Sequence, residues 1–156
     1  MNKQVIPVVA ALAVVSAFSA AVYAQSADRS IQYRRAIMNS QGWHMYTVLG
    51  RMAKGTIPYD KDVAAKSAKY IDQLIDMPWE GFAPGTERGF PTRAKPEIWQ
   101  QKAKFDKYAQ DAKVETAKFA SAAGNGLDAM RTAFTATNRA CNNCHDDFQN
   151  KELSSN

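Results

Sequence analysis

Leu127, Met130, Phe134, Thr137, Cys141, Cys144, His145 and Phe148 follow a three-and-four spacing near the end of this 156-residue chain. Residues three and four apart share one face of an α-helix. The segment from Leu127 to about Lys151 is therefore predicted as a helix, and its apolar stripe carries two thiols and an imidazole. A helix with so much on one face must be covered by other elements.

The rest of the chain supplies three more helices. Between about Ser30 and Lys54, Ile31, Met38, Met45 and Met52 recur every seven residues, with Gly42 and Leu49 beside them. That pattern makes one apolar stripe, and Gly55-Thr56-Ile57-Pro58 ends it. A second helix is predicted from about Asp60, a reasonable N-cap, to Met77, carrying Val63, Ala64, Tyr70, Ile71, Leu74 and Ile75. Pro78, Pro84 and Pro91, with Gly81, Gly85 and Gly89, predict an irregular connection as far as Lys95. Pro96 suits a first helical position and opens a third helix, which runs to about Ala123 and is closed by Gly124 and Gly126. Its buried side includes Ile98, Trp99, Phe105, Tyr108, Ala112 and Phe119. No segment alternates with a period of two over a strand length. The expected fold is all-α, an antiparallel four-helix bundle.

Before these helices, Lys3 is followed by an uncharged apolar stretch from Val5 to Ala21, with Val22 and Ala24 at −3 and −1 of a cleavage point. Residues 1–24 thus read as a cleaved signal peptide and residues 25–156 as the exported domain, expected in the periplasm. A retained membrane anchor is the competing reading. Lys3 is the only charge in the leader, so its removal lowers the formal net charge of +5 by one. The positive charges are dispersed, and no nucleic-acid partner is expected. Lys102, Lys104, Lys107 and Lys113 on the third helix read as a solvated face, or as a docking patch for an acidic redox partner protein.

An exported chain with two cysteines ordinarily forms a disulfide. Here a bridge would close only the loop from Cys141 to Cys144 and would constrain the unfolded chain little. A redox dithiol belongs near a βαβ unit, which this chain lacks, and a zinc site needs about four ligands. Cys141-Asn142-Asn143-Cys144-His145 is instead a C-x-x-C-H motif, the signature of c-type haem attachment. On a helix both sulfurs and the imidazole converge on one side. Two thioethers then fix one covalent haem c, and His145 reaches its iron.

With that motif in the last helix, the chain resembles the class II c-type cytochromes, meaning cytochrome c′ and the cytochrome c-556 group. The likeness runs from about Ile31 to Lys151. It includes Tyr33-Arg34, Gly55-Thr56-Ile57-Pro58-Tyr59-Asp60, Pro78-Trp79-Glu80-Gly81-Phe82, Pro84-Gly85-Thr86-Glu87 and Pro96-Glu97-Ile98-Trp99. It implies haem bound on the C-terminal helix of the bundle and a homodimer paired through the first two helices. It also implies Arg34, Arg35, Thr86 and Glu87 at the haem edge, with Trp79 and Phe82 in an aromatic distal pocket. Family members often have Arg or Lys four residues after the haem histidine; this chain has Gln149.

The family divides at the sixth iron position. Four residues after the first-helix arginine, cytochrome c′ usually carries a bulky apolar group that leaves iron five-coordinate, whereas the c-556 group carries a ligating methionine. Counting from Arg34, that residue is Met38; counting from Arg35, it is Asn39. Arg34, Met38 and Gly42 follow one another on one stripe, so Arg34 is placed to meet a haem propionate and Gly42 to allow close approach of the ring. Met38 is also an ordinary core residue by its spacing. His44, the other histidine, sits six residues on, about 120° around the helix.

Two functions follow. The first is electron transfer with His145/Met38 ligation, in which sulfur opposite histidine keeps iron low-spin. The second is a five-coordinate haem that binds a diatomic gas, nitric oxide or carbon monoxide. No acid–base pair stands out near the haem face, so an enzyme is not expected.

Overall fold

The structure, a computed structural model, describes residues 26–154. The predicted leader, residues 1–24, and its cleavage point lie outside the described residues. Helix α1 spans residues 26–53: it is α-helical to residue 42, π-helical over Trp43–Leu49, and α-helical again over Gly50–Ala53. Gly55, at φ +73°, takes a left-handed turn that L side chains rarely adopt. Asp60 then caps α2 (Lys61–Leu74), accepting the amides of Asp62 and Val63 at 2.9 and 3.0 Å. This cap forms as predicted, because a carboxylate at that position satisfies free first-turn donors.

Beyond α2 comes a 3₁₀ turn over Pro78–Phe82 with proline at its start. The sequence predicted no helix there. A short 3₁₀ turn tolerates Pro78 because the first residues of a helix donate no internal bond. One helical turn over Glu97–Gln100 then precedes α3 (Lys102–Ala122), and α4 spans Leu127–Phe148. Around the bundle, α1 packs on α2, α2 on α3, α3 on α4, and the last turn of α1 on α4. Tyr59 fastens the end where two connections meet: its hydroxyl donates to Ala123 O at 2.9 Å and accepts from Gly126 N at 3.1 Å.

The C-terminal helix is shorter than predicted. After Phe148 the backbone becomes extended, and β2 (Gln149–Ser154) pairs antiparallel with β1 (Thr92–Ala94), setting Ala94 opposite Gln149 and Thr92 opposite Ser154. Strand periodicity cannot be seen in three residues, and the pairing joins segments distant in sequence. Lys95 reinforces the junction. Its amide donates to Phe148 O at 3.0 Å, and its Nζ donates to Asp146 O and Asp147 O, satisfying carbonyls at the end of α4.

Two apolar clusters fill the bundle. One gathers Met45, Leu49, Met52, Ala64, Ile71, Phe119 and Met130. The other is aromatic, built on Phe82, Ile98, Phe105 and Phe148, with Met38, Trp79, Trp99, Tyr108 and Cys144 against it. The methionine stripe of α1 is thus divided, Met38 serving the aromatic cluster and Met45 and Met52 the other.

Candidate haem site

Where the aromatic cluster meets α4, the bundle holds a cavity of about 780 Å³, within the range of roughly 300–1,000 Å³ usual for ligand pockets. Helix α4 contributes Cys141, Cys144 and His145 to its lining; α1 contributes Arg34, Arg35, Met38, Asn39, Gln41, Gly42 and Met45. Trp79 and Phe82 come from the 3₁₀ turn, Phe105 and Tyr108 from α3, and Arg93 and Lys151 from the two strands. The aromatic walls brace one another: the Phe82 and Phe105 ring centroids lie 4.9 Å apart, Trp79 meets Phe105 edge-on at 5.7 Å, and Phe105 meets Phe148 edge-on at 5.6 Å. Such edge-to-face pairs stabilise a wall beyond the area they bury.

The electrostatics of α4 separate this site from a redox dithiol. Both cysteines are free and half-buried. Burial pushes the Cys144 thiol up to about 12, helped by Cys141 and Asp147, and burial also pushes Cys141 up. Reactive dithiols sit in electropositive surroundings that lower the thiol pKa; these do the opposite. Among the described residues no group of three His, Cys, Asp or Glu side chains is arranged to hold a metal ion. Burial lowers the pKa of the His145 imidazole, Arg93 adds to the effect and Asp146 opposes it. The imidazole is thereby favoured in the neutral form that ligates metals. Nearby, Tyr108 donates to Asp147 Oδ2 at 2.8 Å and Lys104 reaches the same oxygen at 2.8 Å, holding that carboxyl below its usual range.

These features fit a haem. Neutral thiols and a neutral imidazole share one helical face over a largely apolar cavity. Two buried donors beside it, Gln41 Nε2 and Trp79 Nε1, have no hydrogen-bond partner. Cys141 and Cys144 could hold the ring by thioethers and His145 its iron.

The other predicted residues distribute as follows. Arg34 and Arg35 line the cavity, but their guanidinium groups turn to the central loop. Arg34 donates to Gly81 O, to Thr86 Oγ1 and O, and to Thr92 Oγ1, and Arg35 donates to Pro91 O at 2.7 Å. Thr86 is buried as a partner of Arg34. Glu87 lies on a separate recess with Arg88, Pro96, Trp99 and Gln100. His44 does not line the cavity; its ring lies 5.0 Å from that of Tyr70. On α3, Lys102, Lys107 and Lys113 pair with Asp106, Asp111 and Asp76. Sequence reasoning gave Phe105 and Tyr108 only a buried helical side, and it gave Arg93 and Lys151 no role.

Comparison with known proteins agrees with this geometry. The family model described as Cytochrome C′ matches residues 29–149. The cytochrome c′ of Halomonas halodenitrificans is 33% identical over 128 residues, covering 78% of this chain and 96% of that protein. The solved cytochrome c prime from Shewanella frigidimarina superposes with a TM-score of 0.76 at 31% identity, over 80% of this chain and 97% of its own. A nitric oxide complex of a cytochrome c prime variant from Alcaligenes xylosoxidans superposes with a TM-score of 0.71 at 32% identity, over 81% and 97% of the two chains. This chain belongs to the cytochrome c′ family of class II c-type cytochromes, and its cofactor is covalently bound haem c with its iron.

Proposed function

We propose that this protein binds a diatomic gas, nitric oxide or carbon monoxide, at a five-coordinate haem. The observation that carries the reading is the cavity itself, in which Met38, Trp79, Phe82 and Phe105 form apolar walls around the space facing α4. The relative from Alcaligenes xylosoxidans solved with nitric oxide supports it. When bound, the haem would supply an iron that His145 could hold and that a small external ligand could bind. The protein's part is to hold that imidazole neutral, to anchor the ring through Cys141 and Cys144, and to surround the open position with apolar groups. Polarity and access there decide between ligand binding and electron transfer.

Relatives of this kind back gas binding better than the His145/Met38 ligation expected first from the sequence. In the proposed site Met38 is a wall residue, packed against the aromatic cluster. The protein acts as a binder and not an enzyme. It works in the periplasm after loss of the leader, as a homodimer through α1 and α2. Exposed Trp43 and Tyr46 on α1, with Val63 and Tyr70 on α2, support that pairing.

Optical spectroscopy of the reduced holoprotein with nitric oxide titration tests the reading. A broad high-spin spectrum that changes stoichiometrically with gas is expected. A sharp, split low-spin pair of bands, unmoved at micromolar gas, overturns it.

A further inference from the structure

Arg34 is 2% exposed and sits one helical turn before Met38. A buried cation is costly unless its donors are met, and here they are met by neutral oxygens. Nη1 donates to Gly81 O at 2.5 Å and Thr86 Oγ1 at 2.9 Å; Nη2 donates to Thr86 O at 3.0 Å and Thr92 Oγ1 at 3.3 Å. The guanidinium carbon also stands 4.4 Å from the ring centroid of Phe82 and 5.6 Å from that of Trp99. Burial brings its pKa down to about 10, against the pull of Glu87.

The acceptors are spread along the central loop. Gly81 lies inside the turn that carries Trp79 and Phe82, and Thr92 begins β1, whose partner β2 continues directly from α4. One guanidinium therefore joins the helix bearing Met38 to the turn bearing the aromatic wall and to the strand that pairs with the segment following α4. The contact is tight at Gly81, where a Cβ would fall 2.7 Å from Arg34 Cβ and 2.8 Å from Ser30 O. Only glycine lets the turn rest on α1 at that distance.

We propose that Arg34 is the positioning residue of the gas site: by fixing the Trp79–Phe82 turn against α1, it sets how readily a diatomic ligand enters and leaves. This rests on the gas-binding reading above. The bonds explain why arginine is needed, since a planar fork reaches several acceptors at once, whereas a lysine ammonium is a single point donor.

The test uses the ferrous holoprotein and carbon monoxide, with Arg34→Gln, Arg34→Lys and Gly81→Ala. Association and dissociation rates are measured together with hydrogen exchange of the amides in residues 79–92. Both Arg34 variants are expected to exchange these amides faster and to change each carbon monoxide rate by tenfold or more, with no rescue by lysine. Gly81→Ala, which lifts the turn while leaving the guanidinium in place, is expected to do the same and carries the test if an Arg34 variant fails to fold. Rates within twofold of the parent overturn the inference even if the loop exchanges faster, as does full rescue by lysine. A parent that takes up no carbon monoxide overturns the gas-binding reading and this inference with it; unchanged rates in a parent that binds overturn this inference alone.

Discussion

Met38 of α1 and His145 of α4, from the first and last helices, line the same cavity. If Met38 is a wall and not a ligand, shortening it opens space without altering the iron's coordination. Met38→Ala is expected to keep the high-spin spectrum of the parent and to raise the carbon monoxide association rate about tenfold, equivalent to roughly 1.4 kcal/mol of barrier. A low-spin parent that turns high-spin in this variant would show that the thioether had been on the iron.

Cys141 and Cys144 share the face that carries His145, so each alone should retain the ring. Acid–acetone extraction of the parent, Cys141→Ala and Cys144→Ala should leave haem with the protein. The double variant should release it to the solvent. Release from the parent would overturn covalent attachment.

His44 provides the pH dependence. Burial lowers its pKa, and Nδ1 is buried without a hydrogen-bond partner beside Tyr70. The folded state then binds fewer protons than the unfolded chain, whose histidine titrates near about 6.5. Its contribution to stability is fully present above that value and is lost as the pH falls through the lower, folded pKa. Urea midpoints of the holoprotein at about pH 7 and about pH 5 should differ less in His44→Phe than in the parent. An equal difference in both would remove the assignment.

Phe119 separates folding from binding. It is fully buried, meets Phe134 edge-on at 6.3 Å, and does not line the cavity. Phe119→Ala should cost about 3–5 kcal/mol in denaturant unfolding while leaving the haem spectrum of the folded protein unchanged. A spectral shift at low denaturant would mean that the two clusters are coupled.

What was readable in the sequence is what local spacing encodes. The stripe through Cys141, Cys144 and His145 needs only helical periodicity, and the Asp60 cap needs only its own first turn. Phe105 and Tyr108 show where such reading stops, because periodicity says that a side chain is buried but not against what. The hydrogen bonds of Arg34 were hidden as well, since its loop acceptors lie far along the chain. The strand pair escaped for a similar reason: Thr92–Ala94 is too short to show a period, and its partner follows α4 without a turn residue between them. The shift of α1 to π-helix was equally hidden, because the seven-residue spacing of Met38, Met45 and Met52 suits an ordinary helix.

That π-helical stretch, Trp43–Leu49, acts on the rest of α1 like a change of phase in a wave. Bonding from i to i+5 spends an extra residue on the turn, and one residue corresponds to roughly 100° of helical rotation. Upstream, the helix presents Met38 to the cavity; downstream, it presents Met52 to the cluster around Phe119 and Met130. A single rod thereby keeps two appointments on different bearings. Deleting one residue from this stretch would bring the two halves back into step, and one of those faces would lose its partner.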